Sequence, residues 1–172
     1  DNVMVAGVPA TIKKQFGENK MNRNIPLSVP NLSLDILKNI KEAIQTGWVS
    51  TGGRFIQEFE EKIAKYVGVK RAVSCQSGTA GLHLALKVLG VEPGDEVIVP
   101  TLTFIAAVNP VRYVGAEPIF MDCDDTLNMD MDKLEAFLEK ECQHIDGKVI
   151  NKKTKRQIKA IIVVHVFGNP AN

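Results

Sequence analysis

The spacing of apolar residues predicts two amphipathic helices in the N-terminal part of the chain. In residues 34–47, apolar side chains recur every three or four positions, and Gly47 is expected to end the helix. The stretch RFIQEFEEKIAKYVG repeats this spacing and ends at Gly68. Ahead of both, residues 1–33 contain prolines that interrupt any long element, so we expect an irregular N-terminal segment there.

From residue 72 onward, short apolar strands alternate with helices. The predicted order is a strand at 72–74, a helix at 79–89, a strand at 97–100, a helix at about 103–113, a strand at 118–122, a helix at about 131–141 and a strand at 158–166. This alternation predicts an α/β domain over residues 34–172, with a largely parallel sheet flanked by helices. Ligands of such sheets bind at the carboxyl ends of the strands. That edge would collect residues 75–79, 100–104, 122–125 and 165–168.

Composition narrows the class of protein. With 45% hydrophobic and 24% charged residues, the chain has the balance of a folded globular domain. A formal net charge of +1 gives no general attraction to nucleic acid or to an anionic membrane. The three cysteines are odd in number and unpatterned, which favours a reducing, cytoplasmic location over a disulfide framework. No apolar run approaches the length of a membrane span, and the N-terminus does not resemble a signal peptide.

The stretch SCQSGTAGLH places small and hydroxyl-bearing residues between a predicted strand and a predicted helix. A helix N-terminus offers unpaired N–H groups and can hold a phosphate, while Gly78 would let the group approach the backbone. Ser77 or Thr79 could equally be an ordinary helix cap, and the residues alone do not decide between the two roles. The glycine patterns of dinucleotide and P-loop sites are absent from the sequence.

A longer set of motifs identifies the family. The ordered blocks GWVSTG, FEEKIAKYVGVKRAVSCQSGTAGLHLAL, GVEPGDEVIVPTLTFIAAVNPVRYVGAEPIFMDCD, LNMD and VVHVFGNP resemble the N-terminal half of the DegT/StrS family of sugar-nucleotide aminotransferases. The resemblance covers roughly residues 25–172 and implies the aspartate-aminotransferase fold with pyridoxal 5'-phosphate as cofactor. IPLSVPNLS and PTLTFIA are most similar to the branch that aminates 4-keto-6-deoxy sugar nucleotides on the way to legionaminic-acid-like sugars.

The resemblance also implies roles for particular residues. The cofactor phosphate would be bound by the block Ser77, Gly78, Thr79 and Ala80. Phe104 would stack on the pyridine ring, since a flat aromatic face stabilises a flat heterocycle. Trp48 would border the substrate sugar, although a packing role between two N-terminal helices is nearly as well supported. Such enzymes build each site at a subunit interface, so a homodimer is expected.

The residues that react with the cofactor or protonate its ring are not expected within this chain. In the family, the Schiff-base lysine and the aspartate that keeps the ring nitrogen protonated come from later positions, so we predict no catalytic residue before residue 172. The lysines at 148, 152, 153, 155 and 159 lie in a polar insertion and should keep ordinary, poorly nucleophilic ammonium groups. The chain is therefore expected to be the N-terminal part of the large cofactor-binding domain, lacking its second half and the small C-terminal domain, and to be inactive alone.

Three functions are compatible with these residues. The first is an aminotransferase that takes an amino group from glutamate and passes it to a 4-keto-6-deoxy sugar nucleotide, in the synthesis of amino sugars for surface glycans. The second is a sugar dehydratase of the same family, in which histidine replaces the lysine. The third is a non-catalytic binding or regulatory domain that keeps the fold. The sugar nucleotide and the aminated carbon, C3 or C4, stay open.

Other polar clusters are assigned structural roles. DCDDTLNMDMDK lacks the glycine and glutamate of a calcium-binding loop, and Asp130 is expected to cap the helix after it. Cys142 and His144 have no second pair of metal ligands and are expected in a surface loop. His83 is expected to pack in the core, and His165 to contact polar groups near the cofactor. The basic run at 148–159 has no interleaved aromatic residues, so we expect a solvated loop or hairpin and not a nucleic-acid site.

Overall fold

The computed structural model describes residues 3–6, 11–15, 26 and 29–172, with backbone alone for 3–6 and 11–15. These residues form two compact units, Asp1–Gly53 and Arg54–Asn172. The boundary falls after the first predicted helix, whereas the sequence suggested a division after residue 33. The candidate phosphate loop and the main sheet belong to the second unit.

The described residues of the first unit include a hairpin and a helix. Strands β1 (Val3–Ala6) and β2 (Thr11–Gln15) pair antiparallel, so the described part of the segment expected to be irregular is partly ordered. The prolines of residues 1–33 led to the expectation that no regular element forms there. The short run VMVA is nevertheless rich in residues that favour a strand. Helix α1 (Ile36–Thr46) confirms the first predicted helix. It ends as expected at Gly47, whose φ of 73° lies in the left-handed region that glycine adopts readily.

The second unit is an α/β assembly. Its helices are α2 (Arg54–Val67), α3 (Gly78–Val88), α4 (Ile105–Tyr113) and α5 (Met131–Lys140). Its strands are β3 (Glu96–Pro100), β4 (Glu117–Met121), β5 (Cys142–Ile145), β6 (Lys148–Asn151) and β7 (Gln157–Ile161), followed by a 3-10 turn at Val166–Gly168. The strand order is β4-β3-β7-β6-β5. Strands β4, β3 and β7 are mutually parallel, which confirms the predicted fold class, and β6 and β5 extend the sheet antiparallel.

Both faces of the sheet carry a core. Alternate residues of β3 point to opposite sides: Val97 and Val99 pack with residues of α3 and α4, while Ile98 packs with residues of α5. Every residue of β3 is buried, as expected of a central parallel strand covered on two faces. The sheet and the helices on its two faces therefore form three layers. The carboxyl end of β3 lies at one edge of the middle layer.

Two local predictions from the sequence were wrong. Residues 72–74 do not form a strand; the backbone N–H of Ser74 donates instead to Oε1 of Glu60, at 2.8 Å. Cys142 does not lie in a surface loop but is 4% exposed at the start of β5. The basic run at 148–159 does form a hairpin, because β6 pairs antiparallel with β7, Val149 opposite Ile158. Strand β7 ends at Ile161, earlier than predicted.

Candidate functional site

The carboxyl edge of the parallel strands gathers the residues singled out from the sequence. Strands β3, β4 and β7 all end at this edge, and 101–104, 122–125 and 162–168 follow them. The connection 89–95 joins the C-terminus of α3 to the amino end of β3, and α3 packs on the same face of the sheet as α4. Its 11 residues span about 16 Å, close to the length of β3, so its N-terminus also lies at the carboxyl edge.

The N-terminus of α3 combines a cap with free donors. Ser77 is the N-cap residue, and its Oγ accepts from the N–H of Ala80 at 3.2 Å, which confirms the capping role. The N–H of Gly81 donates to the backbone oxygen of Ser77. Among the described residues, the N–H groups of Gly78 and Thr79 have no partner. Capping therefore occupies the amide of Ala80 but leaves the amides of Gly78 and Thr79 free at the positive end of the helix.

Phe104 lies at the start of the next helix, α4. It is the N-cap residue of α4, with extended backbone, and its side chain is 87% exposed. Phe104 is therefore not part of the core that the described residues form. Its ring faces are available at the same edge of the sheet as the free amides of α3.

The loop after β4 is organised around charged side chains. Asp122 accepts from Nζ of Lys133 at 2.8 Å and from the N–H of Cys123, and these bonds hold the pKa of Asp122 below its ordinary value. Asp130 accepts from the backbone N–H of Lys133 and so caps α5, as predicted. The ammonium of Lys133 also lies 3.4 Å from Asp130, where it balances the acidic cluster that resembled a calcium loop.

The histidines and the tryptophan differ in their surroundings. His83 is half-buried and packs edge-on against Tyr113, with ring centroids 5.7 Å apart, which confirms a packing role. His165 is exposed after β7, and its Nδ1 accepts from the N–H of Ala171 at 3.0 Å. Trp48 belongs to the first unit and is 64% exposed beside Gly52 and Gly53. The structure thus places Trp48 in a different unit from the other candidates.

Sequence reasoning missed one residue of this edge, Asn128. It is fully buried and hydrogen-bonded to the segment that follows β7. The only sequence signal is a carboxamide set between two apolar residues, Leu127 and Met129, in the connection from β4 to α5. In the ranges that the structure describes, no helix combines the length and the apolar character needed to cross a membrane.

Comparison with known proteins agrees with the resemblance seen in the sequence. Residues 30–172 match the model of the DegT/DnrJ/EryC1/StrS aminotransferase family. GDP-perosamine synthase of Caulobacter vibrioides is 44% identical over 145 residues, which cover 84% of this chain and 35% of that protein. A DegT DnrJ EryC1 StrS aminotransferase from Brucella abortus superimposes with a TM-score of 0.69 at 35% identity, over 80% of this chain and 34% of that one.

A third relative catalyses a different reaction. The structure of a GDP-4-keto-6-deoxymannose-3-dehydratase, which holds a trapped PLP-glutamate geminal diamine, superimposes with a TM-score of 0.66 at 27% identity. The match covers 87% of this chain and 36% of that one. The chain therefore spans about a third of the length of the relatives that it matches. Because aminotransferases of this family depend on pyridoxal phosphate, the cofactor prediction is confirmed.

Proposed function

Because the chain belongs to the DegT/DnrJ/EryC1/StrS aminotransferase family, we propose that it supplies the phosphate- and ring-binding part of an aminotransferase site. The whole enzyme would transfer an amino group from glutamate to a 4-keto-6-deoxy sugar nucleotide, for amino sugars of surface glycans. The observation that carries this proposal is that two amides without a partner, at the N-terminus of α3, and the exposed ring of Phe104 belong to the same edge of the sheet.

The residues of the α3 N-terminus fit a phosphate group. A dianionic phosphate needs several donors, and the N–H groups of Gly78 and Thr79 are free among the described residues. The hydroxyl of Thr79 adds a third donor. A Cβ built on Gly78 would meet nothing within 4 Å, so the space in front of its backbone is open to an incoming group. Ala80, whose amide already bonds to Ser77, would contribute by packing and not by donation.

Phe104 fits the ring of the cofactor. An offset stack between a phenyl ring and a pyridine ring fixes the plane of the heterocycle without needing a charged group. Phe104 lies in the short connection between the end of β3 at Pro100 and the start of α4, so its position is set by the rigid helix that it caps. When bound, pyridoxal phosphate supplies the electron sink on which amino transfer depends.

The proposed substrate and its contacts are inferred from the names of the relatives and from two exposed side-chain rings. GDP-perosamine synthase takes its name from a sugar nucleotide, and the dehydratase structure contains glutamate bound to PLP. We assign His165 and Trp48 to the sugar nucleotide, because both are exposed and can contact hydroxyl groups or the face of a sugar ring. In this assignment the enzyme is cytoplasmic and homodimeric.

A second candidate is dehydration of the same class of substrate. The likeness to the 3-dehydratase favours it, since that match covers 87% of this chain. The products differ in composition: amino transfer replaces a carbonyl oxygen by nitrogen, whereas dehydration removes a hydroxyl group. Mass spectrometry of the sugar nucleotide therefore distinguishes the two reactions.

A pair of chimeras tests the proposal. Residues 30–172 would replace the matching segment of GDP-perosamine synthase in one chimera and of the 3-dehydratase in the other. Each host supplies its own residue at the Schiff-base position, so the pair compares how well residues 30–172 serve either reaction once the site is complete. We expect amino transfer from the first chimera and little dehydration from the second. Dehydration by the second without amino transfer by the first would favour the dehydratase, and a folded first chimera that binds pyridoxal phosphate but transfers no amino group would contradict the proposal.

Two variants of the first chimera test whether its amino-transfer activity depends on Phe104. Phe104→Leu keeps an apolar side chain but removes the flat aromatic face, so activity should fall. Val88→Ala changes an exposed residue at the far end of α3 and should leave activity unchanged. Equal activity of the two variants would remove Phe104 from the cofactor site.

A further inference from the structure

Asn128 connects two chain segments that follow different strands of the sheet. Its side chain is 1% exposed in the connection between β4 and α5. Its Oδ1 accepts from the backbone N–H of Val166, and its Nδ2 donates to the backbone oxygen of Pro170, both at 3.2 Å. One carboxamide therefore holds both ends of the segment 166–170, which begins directly after His165.

The backbone partners fix the orientation of this carboxamide. A backbone N–H can only donate and a backbone carbonyl can only accept, so Oδ1 must face Val166 and Nδ2 must face Pro170. An aspartate at this position would place a second acceptor against the carbonyl of Pro170 and would bury an unpaired charge. The two bonds thus require an amide and not merely a polar side chain.

A second contact supports the same arrangement. Nδ2 of Asn128 also donates to Oγ1 of Thr126, and Nδ2 of Asn169 donates to the backbone oxygen of Thr126, both at 3.2 Å. The hydroxyl of Thr126 in turn donates to Asp124 at 2.6 Å. The loop after β4 and the segment after β7 are therefore joined by side chains from both sides.

Ala171, directly after this segment, determines which nitrogen of His165 carries the proton. Nδ1 of His165 accepts from the backbone N–H of Ala171 at 3.0 Å, so Nδ1 is unprotonated and the neutral ring carries its proton on Nε2. Among the described residues, Nε2 has no hydrogen-bond partner, and the side chain is exposed. His165 thus offers an N–H donor at the carboxyl edge of the sheet.

We infer that Asn128 is a positioning residue: through the segment 166–170 it holds His165 in the Nε2–H tautomer and makes it a fixed donor to an oxygen of the substrate. The inference deepens the proposed function and rests on it only for the identity of the acceptor. The hydrogen bonds of Asn128 and the tautomer of His165 are properties of the chain itself.

The test uses nitrogen-15-labelled chain without any ligand, in mildly alkaline buffer. Magnetic resonance would measure the coupling across the hydrogen bond between the amide nitrogen of Ala171 and Nδ1 of His165. The variants are Asn128→Asp and Asn128→Ser. Asn151→Ala is the matched control, because Asn151 is also buried but bonds to Glu96, at the other end of β3.

We expect the coupling in the unmodified chain and in Asn151→Ala, and its loss in both Asn128 variants. Absence of the coupling in the unmodified chain, its survival in a folded Asn128 variant, or its equal loss in the control would each overturn the inference. If neither Asn128 variant folds, the unmodified chain still decides whether His165 has the assigned tautomer. Failure to bind pyridoxal phosphate would count against the proposed function and leave this result unchanged.

A kinetic measurement addresses the donor role in the active aminotransferase chimera. Asn128→Ser should raise the KM for the sugar nucleotide by about 3- to 10-fold, the usual effect of one lost hydrogen bond, with a smaller change in kcat. Asn151→Ala should leave the KM unchanged. An unchanged KM in Asn128→Ser would show that His165 does not donate to the substrate.

Discussion

Glu60 gives Ser74 the hydrogen bonds that a neighbouring strand would otherwise supply. Its Oε1 accepts from the backbone N–H and from the hydroxyl of Ser74, each at 2.8 Å. These two bonds, the backbone bond first, hold the pKa of Glu60 below its ordinary value of 4.5. A carboxyl group with a lowered folded pKa stabilises the fold above its unfolded pKa and loses that effect as the pH falls through the folded value.

The contact between Glu60 and Ser74 predicts a local titration. As the pH falls below 4.5, protonation of Glu60 weakens the bond to the Ser74 N–H, so the amide resonance of Ser74 should shift. Glu60→Gln keeps an oxygen acceptor but removes the titrating charge, so the shift should disappear in this variant. A Ser74 resonance that titrates equally in both proteins would show that Glu60 is not its acceptor.

Single residues could be predicted from the sequence where their contacts are local. Ser77 and Asp130 cap helices through amides three residues away, a spacing that the sequence displays directly. Asn128 could not be predicted, because its partners lie 38 and 42 residues further along the chain. The tautomer of His165 depends on the same folded segment and was equally hidden.

At the scale of elements, α5 depends on its cap. Asp130→Ala removes the acceptor for the Lys133 amide, so the free energy of unfolding should fall by about 0.5–2 kcal/mol. Asp132→Ala is the control, since Asp132 lies in the first turn of the same helix but is not the cap. Chemical denaturation measures both. Equal losses would mean that the charge near the helix end matters and that the cap bond does not.

Elements with a long apolar period could be predicted from the sequence. The prediction failed for strands that form only by pairing with another segment. Helices α1 to α5 and strands β3 and β4 follow directly from spacing and buried runs. The predicted strand at 72–74 has no partner among the described residues, and Glu60 takes over its backbone bonding. Strand β5 was missed because its four residues, CQHI, alternate weakly and form a strand only by pairing with β6.

At the scale of the whole molecule, apolar side chains stay exposed in both units. They include Leu37 and Ile44 of α1, and Leu84, Val88 and Phe120 in the second unit. Large exposed apolar areas favour association, and a stable interface buries roughly 2,000 Å² or more. We therefore expect residues 1–172 to self-associate, as measured by sedimentation at micromolar concentration. Leu37→Glu with Ile44→Glu should reduce the association, and a monomeric unmodified chain would contradict this prediction.

The most direct test of the central claim is the affinity of the aminotransferase chimera for the cofactor phosphate. Thr79→Val keeps the shape of the side chain but removes its hydroxyl donor, so binding of pyridoxal phosphate should weaken by about 1–3 kcal/mol. Val88→Ala is the control variant, and pyridoxal, which lacks the phosphate, is the control ligand. We predict that Thr79→Val weakens binding of pyridoxal phosphate and leaves binding of pyridoxal unchanged. Unchanged affinity for pyridoxal phosphate, or an equal loss for both ligands, would contradict the assignment of the α3 N-terminus to the cofactor phosphate.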